Sequence, residues 1–197
     1  MKELCDAIYK ALYKDMSMQT AALIVGLLLL ASHVWALLKA PALMDKLKAV
    51  PRSQNVGTVV LTICFIWAWV IASSLDLGDF QRLRWLGQFA VPVVFVAMLF
   101  WVNEYLGSRS IGILLLLASC PVLDAAFLQP PASRVALSLI CYVWITLGLF
   151  WVGMPYTMRD QIAWATRTPR RFKALALAGA VYGVALVALS FTAYKGF

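Results

Sequence analysis

Six stretches of the chain, residues 19–38, 57–75, 87–105, 110–129, 133–154 and 169–194, are almost continuously apolar, and short polar segments join them. A helical run of about 20 residues spans the ~30 Å hydrocarbon core of a bilayer. In lipid a backbone must satisfy its own N–H and C=O groups, which restricts spanning segments to helices or closed barrels. The pattern therefore predicts an all-α polytopic membrane bundle of six transmembrane helices plus short interfacial helices. Residues 19–197 form the transmembrane domain, and residues 1–18 form an N-terminal amphipathic helix.

The polar joints carry periodicity of their own. Leu4, Ile8 and Leu12 recur at i, i+4, with Cys5, Tyr9 and Met16 alongside. This predicts an interfacial helix over Lys2–Met16, supported by the Asp6–Lys10 pair. The segment lacks the short basic leader of a signal peptide, so no cleavage is expected. Leu43, Leu47 and Val50 predict a surface helix between Pro41 and Pro51. Met158, Ile162 and Ala165 predict another over Thr157–Thr166, with Thr157 and Asp160 at capping-box spacing. Thr168 followed by Pro169 reads as the cap and first residue of the last span.

Composition narrows the class. The chain is 63% hydrophobic and only 13% charged, too few charges to solvate a globule in water. Its net charge of +8 belongs to the membrane surface: no soluble basic segment exists to bind nucleic acid, and none is expected to be bound. Of the 17 Lys and Arg residues, ten fall on the side of joints 1–2, 3–4 and 5–6, and seven on the other. The excess is small, but it is concentrated at Lys39–Arg52 and Arg167–Lys173. By the positive-inside rule these joints are expected in the cytoplasm and both termini in the periplasm. Cys5, Cys64, Cys120 and Cys141 have neither disulfide-framework nor zinc spacing and read as small hydrophobes.

Chemistry-bearing residues are few. Asp124 is the one carboxylate well inside an apolar span, three residues after Pro121. A charge in hydrocarbon is costly, so Asp124 is expected to face protein and to accept a hydrogen bond from another span or from Arg134. His33, the single histidine, reads as a helix-packing residue or as a proton relay. Glu104 and Arg109 flank the joint between spans 3 and 4 and are expected to pair there. With one histidine and no catalytic or phosphate-binding motif, no catalytic set, metal site or cofactor is implied. Trp35, Trp85, Trp101, Trp151 and Trp164 lie near span ends, as in an interfacial aromatic belt.

Two patterns bear on assembly. Ile63-Cys64-Phe65-Ile66-Trp67 in span 2 and Ile140-Cys141-Tyr142-Val143-Trp144 in span 5 hint at two three-span halves. In span 6, Ala176, Gly179, Ala180 and Gly183 lie on one stripe that admits a close helix neighbour. That neighbour is expected to be span 5, or a protein partner or second copy if the stripe faces outward. Leu175, Tyr182, Leu186 and Leu189 are placed on the opposite side.

The segment from Pro155 to Leu189, with Arg159, Thr168-Pro169-Arg170-Arg171, Gly179 and Gly183, is similar to the hairpin of small two-span bacterial inner-membrane proteins. The whole chain resembles small six-span bacterial inner-membrane proteins of unknown function. That resemblance implies a multi-pass protein of the bacterial inner membrane and assigns no functional residue. The function expected is a non-catalytic accessory or scaffold subunit of a membrane complex, in contact with the lipid bilayer. The alternatives are a small secondary transporter or channel using Asp124 and His33, and an enzyme acting on lipid.

Overall fold

The structure, a computed structural model, describes residues 2–102 and 104–196. Among them there is no strand, and six helices are long and apolar enough to cross a membrane. Helix α1 (Lys2–Tyr9) continues into a π-helical turn, Lys10–Lys14. Helix α2 is Met18–Leu38, α3 is Ala40–Ala49 with a 3-10 turn Val50–Arg52, and α4 is Gln54–Ser74. A 3-10 turn, Gly78–Leu83, leads into α5 (Arg84–Phe100). Then follow α6 (Leu106–Ala126), α7 (Arg134–Gly153), α8 (Tyr156–Ala165) and α9 (Pro169–Phe191). The membrane spans are α2, α4, α5, α6, α7 and α9, with the Gly78–Leu83 turn extending the third.

The ends of these helices differ from the hydropathy boundaries for local reasons. Ser17, Ser53 and Thr168 each accept a hydrogen bond from a first-turn N–H, at 3.2, 3.3 and 3.3 Å. Capping by Ser53 lets α4 start at Gln54 rather than Gly57. Span 3 ends at Phe100 instead of Tyr105, because Tyr105 takes a left-handed conformation (φ 54°) that no helix interior admits. Asn103, placed in that span by sequence, lies outside the described residues. Helix α6 takes in Gly107–Arg109, which hydropathy reads as a turn, because the side chains of Ser108 and Arg109 find acceptors on α7 and the turn after it. Ser108 Oγ donates to the Pro155 carbonyl at 3.1 Å, and Arg109 to the Val152 carbonyl at 2.8 Å. The capping box at α8 does not form: Thr157 Oγ1 donates back to the Met154 carbonyl (2.7 Å), and Asp160 pairs with Arg159 (2.7 Å).

Helix α6 is the axis of the bundle. It lies between α4 and α7, and α5 is set outside α4. Helices α2 and α9 form a second pair, so the first and last spans are neighbours. The pair joins the rest where Met18, Ala21, Ala22 and Val25 of α2 meet Val122, Ala125 and Ala126 of α6 and Leu137 and Cys141 of α7. Two phenols tie this end: Tyr182 donates to the Ala136 carbonyl (2.6 Å) and Tyr194 to that of Ser133 (2.5 Å). At the opposite end, α3, the Val50–Arg52 turn and α8 touch one another, and the turn and α8 cover the start of α6.

Two of the three tight crossings set glycine against glycine, and the third sets one glycine against backbone. A methyl group on Gly26 would stand 3.0 Å from the Gly183 carbonyl, and one on Gly183 would stand 2.9 Å from that of Gly26. Gly112 and Gly148 make the same reciprocal contact between α6 and α7, at 2.9 and 2.8 Å. A methyl on Gly57 of α4 would meet the Gly107 nitrogen at 2.8 Å. All are at or below the tightest separations a carbon contact takes, so backbone meets backbone at each site. The span 6 stripe therefore packs inside the bundle, but on span 1 rather than span 5. Leu186 belongs to that buried face as well, since it follows Gly183 by three residues and Gly179 by seven; it is fully buried. The Ile-Cys motifs of spans 2 and 5 sit on two helices that flank the same neighbour: Cys64 Sγ donates to the Ser110 carbonyl (3.6 Å), and the Cys141 carbonyl accepts from Ser119 (3.5 Å).

Gly148→Ala is expected to lower stability by about 1–3 kcal/mol through overpacking. Gly153→Ala, on the same helix with open space around the new methyl, should be neutral. Thermal unfolding followed by circular dichroism in mild detergent separates the two.

Candidate functional site

The last turns of α6, the end of α4 and the N-terminal segment enclose a groove that holds the carboxylate of Asp124. Ile8 and Leu12 of the N-terminal segment meet Ile63, Ile66, Trp67 and Val70 of α4, which carries the amphipathic stripe onto the bundle. Trp67 Nε1 donates to Tyr13 Oη at 3.0 Å. Tyr9 and Tyr13 stack at 5.0 Å with 18° between their planes, an i, i+4 pair. The expected single helix over Lys2–Met16 is instead α-helical to Tyr9 and π-helical beyond it.

These rings, with Ile71, Leu75, Cys120, Leu123, Asp124 and Phe127, line a groove of about 480 Å³. Burial pushes the Tyr13 phenol up to about 12, and its neighbours Cys120, Tyr9 and Asp124 push the same way, while the Trp67 hydrogen bond opposes them. Tyr9 is also raised, by burial first and by Asp124 second. Asp124 itself is exposed to the groove. Its expected partner is absent: among the described residues the carboxylate makes no hydrogen bond or ion pair. Arg134 turns away and donates to the Gln129 carbonyl, closing the loop between α6 and α7. A loop carbonyl left without a helical partner competes for the guanidinium locally. The result is a carboxylate, two phenols and a thiol around an apolar groove. This arrangement suits a proton or an organic cation, since aromatic faces and carboxylates both attract positive charge.

His33 is not part of this site. Its Nδ1 lies 2.8 Å from the Leu29 carbonyl, which can only accept, so Nδ1 carries the proton. The ring lies against Gly179, where a methyl would come within 2.2 Å of Nε2 and Cδ2. The glycine is the seat of the histidine. Asp124 belongs to the end of the bundle where α2 starts at Met18, and His33 lies roughly 22 Å further along α2 at 1.5 Å per residue. One polar pathway using both residues is not assembled.

Glu104 is exposed and unpartnered among the described residues, and the expected Glu104–Arg109 pair does not form. Arg109 serves the end of α7 instead, where helix carbonyls lack intrahelical donors. The adjacent Tyr105 is the polar centre that sequence reading missed. Its hydroxyl accepts from Arg52 (3.0 Å) and Arg159 (3.2 Å), and the Arg52 guanidinium lies 5.3 Å from its ring centre. The Arg52 hydrogen bond, followed by that of Arg159, holds this phenol below its ordinary value. Asp160 raises Arg159 further. Among the described residues no group of three or more His, Cys, Asp and Glu is arranged to hold a metal ion. Compared with protein-family models, curated proteins and solved structures, the chain matches none.

Because the folded Tyr13 is raised from 10.0 to about 12, folding favours its neutral form. That contribution is complete below pH 10 and is lost as pH rises through about 12. The thermal midpoint of the wild type should fall across this window by more than that of Tyr13→Phe. The variant should already be less stable at neutral pH, having lost the acceptor for Trp67.

Proposed function

We propose that this chain is a non-catalytic accessory or scaffold subunit of a complex in the bacterial inner membrane. The observation that carries the reading is the position of α5. It packs mainly on α4 and its own leading turn, has no buried residue, and presents Phe89, Val93, Val96 and Phe100 outward. Gln88, in the same helix, has no hydrogen-bond partner among the described residues, and a side-chain amide at membrane depth gains from a partner helix. The stripe Ala176, Gly179, Ala180 and Gly183 is occupied by α2, which moves the proposed partner surface from span 6 to span 3. The partner is a transmembrane helix of another protein. The arginine- and lysine-rich joints lie in the cytoplasm and both termini in the periplasm in this reading, with orientation set by the positive-inside bias. The resemblance to small six-span bacterial inner-membrane proteins supports the same compartment.

A photoreactive residue at Phe89 or Val96 should give one protein adduct of defined mass in native membranes, and one at Leu28 of α2, also exposed, should give none. Lipid adducts alone from all three positions would sink the subunit reading. Topology is checked by accessibility of a single cysteine at Lys48 or Lys195 to an impermeant reagent.

The Asp124 groove favours a second reading, a small transporter or channel for a cation that uses Asp124 without His33. In proteoliposomes, Asp124→Asn should then abolish a proton or organic-cation flux that His33→Gln leaves intact. Flux that is absent, or equal in wild type and Asp124→Asn, removes this reading.

A further inference from the structure

At the basic end of the bundle two grooves run into each other. One, of about 330 Å³, lies between α2, α3, α8 and α9 and has His33, Ala36, Leu47, Phe172 and Leu175 among its walls. The other, of about 290 Å³, lies between the end of α2 and α3 and is lined by Trp35, Lys39, Ala42, Leu43 and Lys46. Trp35 and Leu43 line both, so the apolar trough opens onto a mouth that holds two ammonium groups.

The charges at that mouth are free. Among the described residues Lys39 and Lys46 make no ion pair or hydrogen bond, whereas Lys48 on the same helix pairs with Asp45 at 3.2 Å. Lys39 is the joint residue between α2 and α3 and Lys46 lies within α3, and the two line the same groove mouth. Trp35 is 55% exposed beside them, an amphipathic ring at the level where headgroups lie. An apolar trough that deepens along α2, with two unpaired cations and an indole at its mouth, has the polarity order of a phospholipid.

We infer that this trough is a binding site for an anionic glycerophospholipid. The phosphate lies between Lys39 and Lys46, the glycerol region lies against Trp35, and one acyl chain follows the groove toward His33 and Leu175. Charge complementarity selects the anionic headgroup over a zwitterionic one, because the choline ammonium of the latter would add a third cation to the mouth.

The test uses the full-length protein in mild detergent, titrated with phosphatidylglycerol or phosphatidylcholine and observed by native mass spectrometry. Wild type should retain one phosphatidylglycerol molecule in preference to phosphatidylcholine. Each free lysine near a headgroup is expected to contribute about fivefold to that preference. Lys39→Gln with Lys46→Gln should therefore weaken it roughly 25-fold, and Lys48→Gln should leave it intact. Ala42→Trp, which fills the mouth and keeps both charges, should lower retention of the lipid. Inorganic phosphate should not compete, since the acyl chain supplies the groove contacts. An equal loss in Lys48→Gln and in the double variant would reduce the effect to general surface charge and overturn the site. So would undiminished retention by Ala42→Trp, displacement by inorganic phosphate alone, or equal retention of the two lipids by the wild type. Circular dichroism of each variant confirms that a loss is not unfolding; Lys39, Ala42 and Lys46 are all exposed.

Discussion

Helices inside a bilayer gain little by hiding apolar side chains from one another, because lipid tails are equally apolar. What holds them is close packing and the polar contacts that close packing permits. In this chain that requirement is met by glycine facing glycine at two crossings, Gly26 with Gly183 and Gly112 with Gly148, and by a glycine against backbone at the third, where Gly57 of α4 meets Leu106 and the Gly107 nitrogen of α6. At the first two crossings each backbone carbonyl sits where the opposite side chain would begin, a geometry that also favours weak Cα–H···O contacts. The rest of the molecule follows from these axes. Helix α6 is central because it has such a contact on two sides, and α5, with none, is peripheral.

Polar groups are distributed according to what those axes leave open. The start of α6 is pressed against the end of α7 and the Val50–Pro51 turn, so Ser108 and Arg109 can reach carbonyls that no helix donor serves. A half-buried guanidinium there satisfies a carbonyl at the end of α7 and keeps its charge near the basic surface. At the opposite end the contacts are phenol to carbonyl, from Tyr182 and Tyr194, and the single carboxylate of α6 faces a groove. The two ends thus differ in how they are tied: Ser108 and Arg109 reach carbonyls of α7 and the turn after it at one, and phenols of α9 and the segment after it reach carbonyls at the start of α7 at the other.

Hydropathy was enough to read six spans, the surface helices between Pro41 and Pro51 and near Thr157–Thr166, and the Thr168–Pro169 start of α9, because these depend on local composition. The stripe at Ala176, Gly179, Ala180 and Gly183 announced a close neighbour, but not which one. Glycines at 26, 57, 107, 112 and 148 carry the complementary signal, and only the fold says how they pair. The candidate site was legible in one residue, Asp124. Tyr9, Tyr13 and Cys120 join it through the placement of α1 on α4, which the amphipathic stripe of that segment permits and does not specify. Arg134 and Glu104 were misjudged for a common reason. Sequence proximity suggests a carboxylate–guanidinium pair, whereas unsatisfied loop and helix-end carbonyls compete for the same donors.

The pairing of α2 with α9 has a consequence for how the protein is made. Gly26 and Gly183 are about 160 residues apart in the chain, and synthesis at ~5–20 residues per second puts roughly 8–30 s between them. Throughout that interval the first helix waits in the membrane with its close-contact face open to lipid, to the insertion machinery or to another nascent chain. A ribosome that stalls before the final helix leaves the interval open-ended. The arrival of α9 thus closes this face, and an exposed Gly26 face is the mark of a chain in which α9 has not yet been made.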